Sequence, residues 1–217
     1  MMRSYLQKPF RLDCLDVWLR ASGCTVLDVG CGNHSALKTK QYYPACRYFG
    51  ADRELCYNND SSDRACMEEF FSIDLARCET LAAVPDAFFD CVIFSQVIEH
   101  ITNGEEVLGL LADKLAPGGI LYVESPSEKS ARLPSMKGTL NFYDDPTHVR
   151  LYGLTGLERI IAGRGLSIIR SGTRRSWKRI ILLPVYAGIS LAAQGFISGH
   201  VLWDIAGFAN FIVAKKP

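Results

Sequence analysis

The chain has 217 residues, close to half of them hydrophobic, and its 24 basic and 23 acidic side chains leave a net charge of +1. That length can bury one sizeable core with some extra structure. The balanced charge gives no footprint for nucleic acid, so none is expected as a partner. The opening MMRSYLQKPFRLDCLDVWLR carries Arg3, Lys8, Arg11, Asp13 and Asp16 and lacks the apolar centre of a secretory signal, which reads as a cytoplasmic protein. Eight cysteines, at 14, 24, 31, 46, 56, 66, 78 and 91, contain no CxxC pair and read as reduced packing thiols rather than a disulfide or zinc framework.

In chain order, strand-like runs are expected at residues 25–29, 48–51, 70–73, 91–95, 120–124, 166–169 and 210–214. Helical stretches lie between them. The clearest is 104–115, where Val107, Leu108, Leu111 and Leu115 recur at helical spacing before Pro117-Gly118-Gly119. Strand–helix alternation predicts an α/β fold, a mainly parallel sheet with helices on both faces. In such sheets ligands bind outside the carboxyl ends of the strands.

The first strand runs into VLDVGCGN, an acid followed by two glycines, Gly30 and Gly32, where bare backbone lets a ligand approach. A phosphate-binding GxxxxGK[ST] loop is absent, and the dinucleotide pattern fails because Ser35 takes its third small position. Acids recur at the next two strand ends, Asp52 in YFGADRE and Asp74 in FSIDL. Three carboxylates around one crevice repel phosphate and suit a ligand with an amino group, a ribose diol and an exocyclic amine.

VLDVGCG, YFGAD, SIDL, FDCVIFSQVIEHI and LAPGGILYVESP, in this order, resemble the class I S-adenosylmethionine-dependent methyltransferases, in the branch with small-molecule and quinone O-methyltransferases. The likeness covers about residues 22–175 plus the terminal GFANFIVAKKP. It implies a Rossmann-like seven-stranded sheet with an antiparallel last strand, and S-adenosylmethionine as cofactor. By the resemblance, Asp28, Gly30 and Gly32 line the methionine portion, and Asp52, with Arg53 beside it, takes the ribose hydroxyls. Asp74 and the Leu75 amide meet the adenine, and Gln96 lies near the methionine end.

A sulfonium methyl is already electrophilic, so the protein must align a nucleophile, exclude water and, for a hydroxyl, remove a proton. His100, in SQVIEHI, and His148, in YDDPTHVRLYG, fall on the cofactor side and are the candidate bases, with Glu99 beside them. His34 and His200 read as surface or cap residues. Some related enzymes carry Glu-x-x-Glu-His at this place and bind a divalent metal. Gln96 replaces the first Glu, which removes a charge that a hard cation favours. A metal on Glu99, His100 and His148 stands as the alternative to a plain hydrogen-bonding pair at a helix start, and none is assigned.

Residues 125–150 lack periodicity and are too long for an ordinary connection, as expected of an acceptor loop or lid. Tyr143, Asp144, His148 and Arg150 are its pocket candidates. DPTHVR also resembles a segment of methyltransferases of cell-surface glycan synthesis. Residues 176–205 form an apolar insertion with no charged side chain between Arg179 and Asp204. A single span would strand the last strand across the bilayer, so two helices broken by Pro184, Gly188, Gly195 and Gly199 are expected instead. Their apolar face suits a membrane surface, with Arg174, Arg175, Lys178, Arg179 and Trp177 at the headgroups, or else a lid or homodimer contact. The expectation is one methyltransferase domain over residues 1–217, acting on a small or lipid/glycan-linked acceptor. A cofactor-binding or membrane-associated module without turnover, and an NAD-dependent oxidoreductase, are the alternatives.

Overall fold

Thr25–Val29 form β1, whose five residues are all buried, as a parallel strand covered on both faces must be. The computed structural model describes residues 8–55 and 58–217, so Arg3 and Cys56 lie outside the described residues. Two short helices, α1 (Phe10–Cys14) and α2 (Asp16–Leu19), precede β1. Then follow α3 (Ser35–Tyr42), β2 (Arg47–Asp52), α4 (Ser61–Ala65), β3 (Glu69–Ser72) and β4 (Phe89–Ser95). The second half contains α5 (Gly104–Lys114), β5 (Leu115–Pro126), α6 (Leu154–Gly163) and β6 (Ser167–Thr173). It closes with α7 (Trp177–Ile181), α8 (Leu183–Gln194), α9 (Trp203–Ala206) and β7 (Ala209–Lys215).

The strand order is β3-β2-β1-β4-β5-β7-β6, and β7 runs antiparallel to both its neighbours while the other pairs are parallel. The α/β sheet read from the sequence is therefore present. Helices cover both faces: Leu12, Leu15 and Leu19 of the N-terminal segment pack on one, and Val107, Leu111, Leu157 and Ile161 of α5 and α6 on the other. Connections leave β1 and β4 in opposite directions across the sheet, which opens a crevice between the carboxyl ends of these two strands.

Boundaries shift where pairing extends an element. β5 starts five residues before the expected 120, because Leu115 pairs with Phe89 beyond a register shift. β6 runs on to Thr173 because β7 pairs along it as far as Asn210. The seven described cysteines are free, as expected.

The insertion is two helices and a short return rather than a span, and no helix among the described residues is long and apolar enough to cross a membrane. Pro184 sits in the first turn of α8, and Gly195, at φ 76°, ends it. Asp204, 1% exposed, ties the insertion to the sheet: it accepts from the Ser176 amide at 2.8 Å and pairs with Arg174 at 3.4 Å and Arg179 at 3.3 Å. This corrects the placing of Arg174 and Arg179 at lipid headgroups. Arg174 is buried between Asp204 and Glu124, and a desolvated arginine needs those carboxylates. Only Trp177, Arg175 and Lys178 of that group face solvent.

Candidate functional site

A cavity of about 620 Å³ opens at the carboxyl ends of the central strands. Asp28, Gly30, Gly32, Asp52, Arg53 and Gln96 line it, together with Glu99, His100 and His148. Asp74 and Leu75 are not in this wall. Asp74 Oδ1 accepts from the Ala76 amide at 3.1 Å and the Leu75 carbonyl from Asn103 Nδ2 at 2.8 Å, a turn at the end of β3.

The glycine turn is shaped by what it must pass. Gly30 has φ 78°, and a Cβ there would collide with Val97 Cγ2. Asn33 and His34 are also left-handed, at φ 57° and 58°. Asn59 receives the His34 amide at 3.0 Å, and buried Asp63 meets His34 Nδ1 at 2.6 Å, so the turn is pinned from behind by the start of α4. His34 is thus the cap residue expected of it.

Asp28 is 3% exposed. Its Oδ2 accepts from Ser35 Oγ and, at 2.7 Å, from Tyr48 Oη. Burial raises its pKa, while Arg11 and the two hydroxyls oppose the shift. Asp52 is half-buried at the end of β2, its Oδ1 accepting from the Arg53 amide at 2.7 Å. Burial raises its pKa too, and the field of Asp28 adds to this.

The opposite wall follows β4. Gln96, at φ 56°, donates from Nε2 to Glu124 Oε1 at 3.2 Å. A glutamate in its place would set two carboxylates against each other, so the amide is what this position tolerates. Glu99 is 1% exposed, and neither carboxylate oxygen has a hydrogen-bond partner. Burial, reinforced by Glu124 and Asp145, pushes its carboxyl up to about 8. The Glu99 carbonyl accepts the Val149 amide at 2.8 Å, which stitches the 125–150 loop to this turn. His148 Nδ1 lies 2.6 Å from the Phe142 carbonyl, and the rings of His100 and His148 are 4.8 Å apart. Burial and His148 lower the pKa of His100. One ligand atom from each of Glu99, His100 and His148 lies within 4.8 Å of the others.

Of the loop candidates only His148 lines the cavity. Tyr143 is exposed, Arg150 pairs with Glu105 at 2.5 Å, and Asp144 accepts the Leu140, Asn141 and Met136 amides at 2.9, 2.8 and 3.1 Å as an internal brace. Arg11, Ser35, Lys38, Glu124, Thr147 and Trp203 line it without having been singled out in the sequence. Only the glutamate in LYVESP gave a signal, as an acid closing an apolar strand.

The chain matches the family described as Methyltransferase domain over residues 2–171. No curated protein matches it. Among solved structures it is similar to a SAM-dependent methyltransferase from Archaeoglobus fulgidus (20% identity, 98% of this chain and 94% of that one, TM-score 0.62). It is also similar to an S-adenosylmethionine-dependent methyltransferase from Mesorhizobium loti (12%, 97% and 100%, 0.65). A third is Haemonchus contortus phosphoethanolamine N-methyltransferase 2 in complex with S-adenosyl-L-methionine (19%, 90% and 49%, 0.62). At these identities the likeness is one of fold.

Proposed function

We propose that the chain, a member of the methyltransferase-domain family, uses S-adenosylmethionine and delivers its methyl group to an oxygen of a small or lipid/glycan-linked acceptor. When bound, S-adenosylmethionine supplies a sulfonium methyl that is electrophilic without further activation. Asp52, with Arg53 beside it, would take the ribose hydroxyls, Asp28, Gly30 and Gly32 would line the methionine portion with Gln96 near its end, and Asp74 with the Leu75 amide, outside the cavity wall, would meet the adenine. The observation that carries the oxygen reading is His148. Its Nδ1 donates to the Phe142 carbonyl at 2.6 Å and Nε2 lies 4.0 Å from Asp145 Oδ2, so Nε2 is the nitrogen left to take a hydroxyl proton. His100 stands next to it as the second candidate base. Calorimetry with S-adenosylhomocysteine tests the cofactor wall: Asp52→Ala weakens binding by about 1–3 kcal/mol in a folded protein, through loss of a charged contact to a diol. Wild-type affinity in that variant removes the assignment. Mass spectrometry of cell extracts incubated with methyl-labelled cofactor identifies the acceptor atom, and a labelled amine would exclude oxygen.

A second reading is favoured by the two unpaired oxygens of Glu99. With the ring nitrogens of His100 and His148 they form a mixed nitrogen and oxygen set suited to a divalent cation, which would polarise the acceptor hydroxyl in place of a base. Titration of chelator-treated protein with Mn²⁺ or Zn²⁺ decides it: heat in wild type and none in His148→Ala supports a metal.

The exposed face of α7 and α8 carries Trp177, Ile181, Val185 and Ile189, with cationic Arg175 and Lys178 beside them and no acid between residues 176 and 203. That combination fits an anionic membrane surface. Sedimentation with anionic vesicles at low salt tests it, and a protein that stays in the supernatant as a dimer assigns the face to a second copy.

A further inference from the structure

Glu124, near the carboxyl end of β5, is 3% exposed and lines the crevice. Three donors converge on its carboxylate. Gln96 Nε2 at 3.2 Å and Arg174 Nη1 at 3.0 Å reach Oε1, and the Tyr122 hydroxyl reaches Oε2. Tyr122 and Arg174 are themselves buried, and Asp204 holds the other edge of the guanidinium through Nε and Nη2, so the carboxylate has little freedom to turn. Gln96 is held twice by this one residue, since its backbone N–H donates to the Glu124 carbonyl at 2.8 Å. Its φ of 56° is a left-handed conformation that a residue with a side chain adopts rarely. A carboxylate facing a guanidinium only accepts hydrogen bonds. The Gln96 amide must therefore turn its nitrogen to Glu124, which leaves Oε1, a pure acceptor, on the other side of the amide at the crevice that Gln96 lines. Without Glu124 the amide is free to present either end.

We propose that Glu124 is a positioning residue of the transfer site: it orients the Gln96 amide so that Oε1 meets an N–H or O–H donor of a bound molecule. Two molecules of the reaction carry such a donor, the cofactor in the amino group of its methionine portion and the acceptor in its hydroxyl. Glu124 acts through Gln96 in either case. The role rests on reading the crevice as a methyl-transfer site.

A double-mutant cycle of Glu124→Leu and Gln96→Ala tests it, with folding checked by circular dichroism. Calorimetry reads the affinity for S-adenosylhomocysteine, and transfer of labelled methyl at graded amounts of cell extract reads an apparent KM for the acceptor. In the wild-type background Glu124→Leu costs about tenfold in that affinity if the donor is the cofactor's, or about tenfold in KM at unchanged affinity if it is the acceptor's. In the Gln96→Ala background the same substitution costs less than about twofold, because the group it acts through is gone. Glu124→Gln, which keeps an acceptor, recovers most of the loss. A residue with a structural role alone costs the same factor in both backgrounds, and that result overturns the proposal. So does a folded Glu124→Leu with wild-type affinity and KM. Should Glu124→Leu fail to fold, Glu124→Leu combined with Arg174→Met takes its place, since apolar groups of similar volume can replace a buried ion pair. If wild type binds no S-adenosylhomocysteine, the methyl-transfer reading fails, and nuclear magnetic resonance of the free protein decides the positioning. The Gln96 side-chain amide protons, identified by their absence in Gln96→Ala, should exchange with water more slowly in wild type than in Glu124→Leu, and equal rates overturn it.

Discussion

Asp28 and Glu99 are both carboxylates with almost no exposure, 3% and 1%, on opposite walls of one crevice, yet they are treated in opposite ways. Asp28 holds two hydroxyl donors, Ser35 and Tyr48, and has Arg11 behind the first of them. Glu99 has no donor at either oxygen. A buried polar group left unpaired is costly, so it survives where binding or chemistry needs it. The glycine-turn wall is finished within the fold, and the histidine wall leaves its acid unpaired.

The largest expected effect comes from the unfinished wall. His148→Ala lowers transfer of labelled methyl to the extract acceptor by roughly 10²–10⁴-fold, while affinity for S-adenosylhomocysteine in calorimetry stays at the wild-type value. A rate unchanged by the substitution would pass the role to His100. A loss of cofactor affinity instead would mean that the two walls are not separate.

Tyr48→Phe tests the finished wall, since it strips one donor from Asp28 and leaves the rest of the strand in place. Urea unfolding should show a loss of about 1–3 kcal/mol. Unaltered stability would show that the donors around Asp28 are dispensable and that the contrast with Glu99 is only apparent.

Glu99→Gln should act in the other direction and with pH. Burial pushes the Glu99 carboxyl up to about 8, so the folded chain keeps a proton that the unfolded chain releases near 4.5. That contribution to stability is present below the unfolded value and is lost as pH rises towards the folded one. In chelator, the Tm of Glu99→Gln should match wild type near pH 5 and exceed it by about a few degrees at pH 8. An equal shift at both pH values would mean that the carboxyl is not desolvated as its burial implies.

Much of this was legible in the sequence because it depends on local pattern. Apolar runs separated by helical spacing set the strand–helix alternation, and an acid followed by Gly30 and Gly32 marked the turn where a Cβ cannot fit beside Val97. His148 and His100 were legible as candidates from their place after strands. Their meeting at 4.8 Å was not, since it depends on the Val149 amide reaching the Glu99 carbonyl across some fifty residues of chain. Only the tertiary structure decided that Arg174 and Arg179 turn inward to Asp204, that Asp144 braces its own loop, and that Arg11 reaches Ser35 beside buried Asp28. The physical reason is the same in each case. The sequence dictates the charge and periodicity of each segment, whereas the partner of a buried charge is chosen by which distant element the sheet brings beside it.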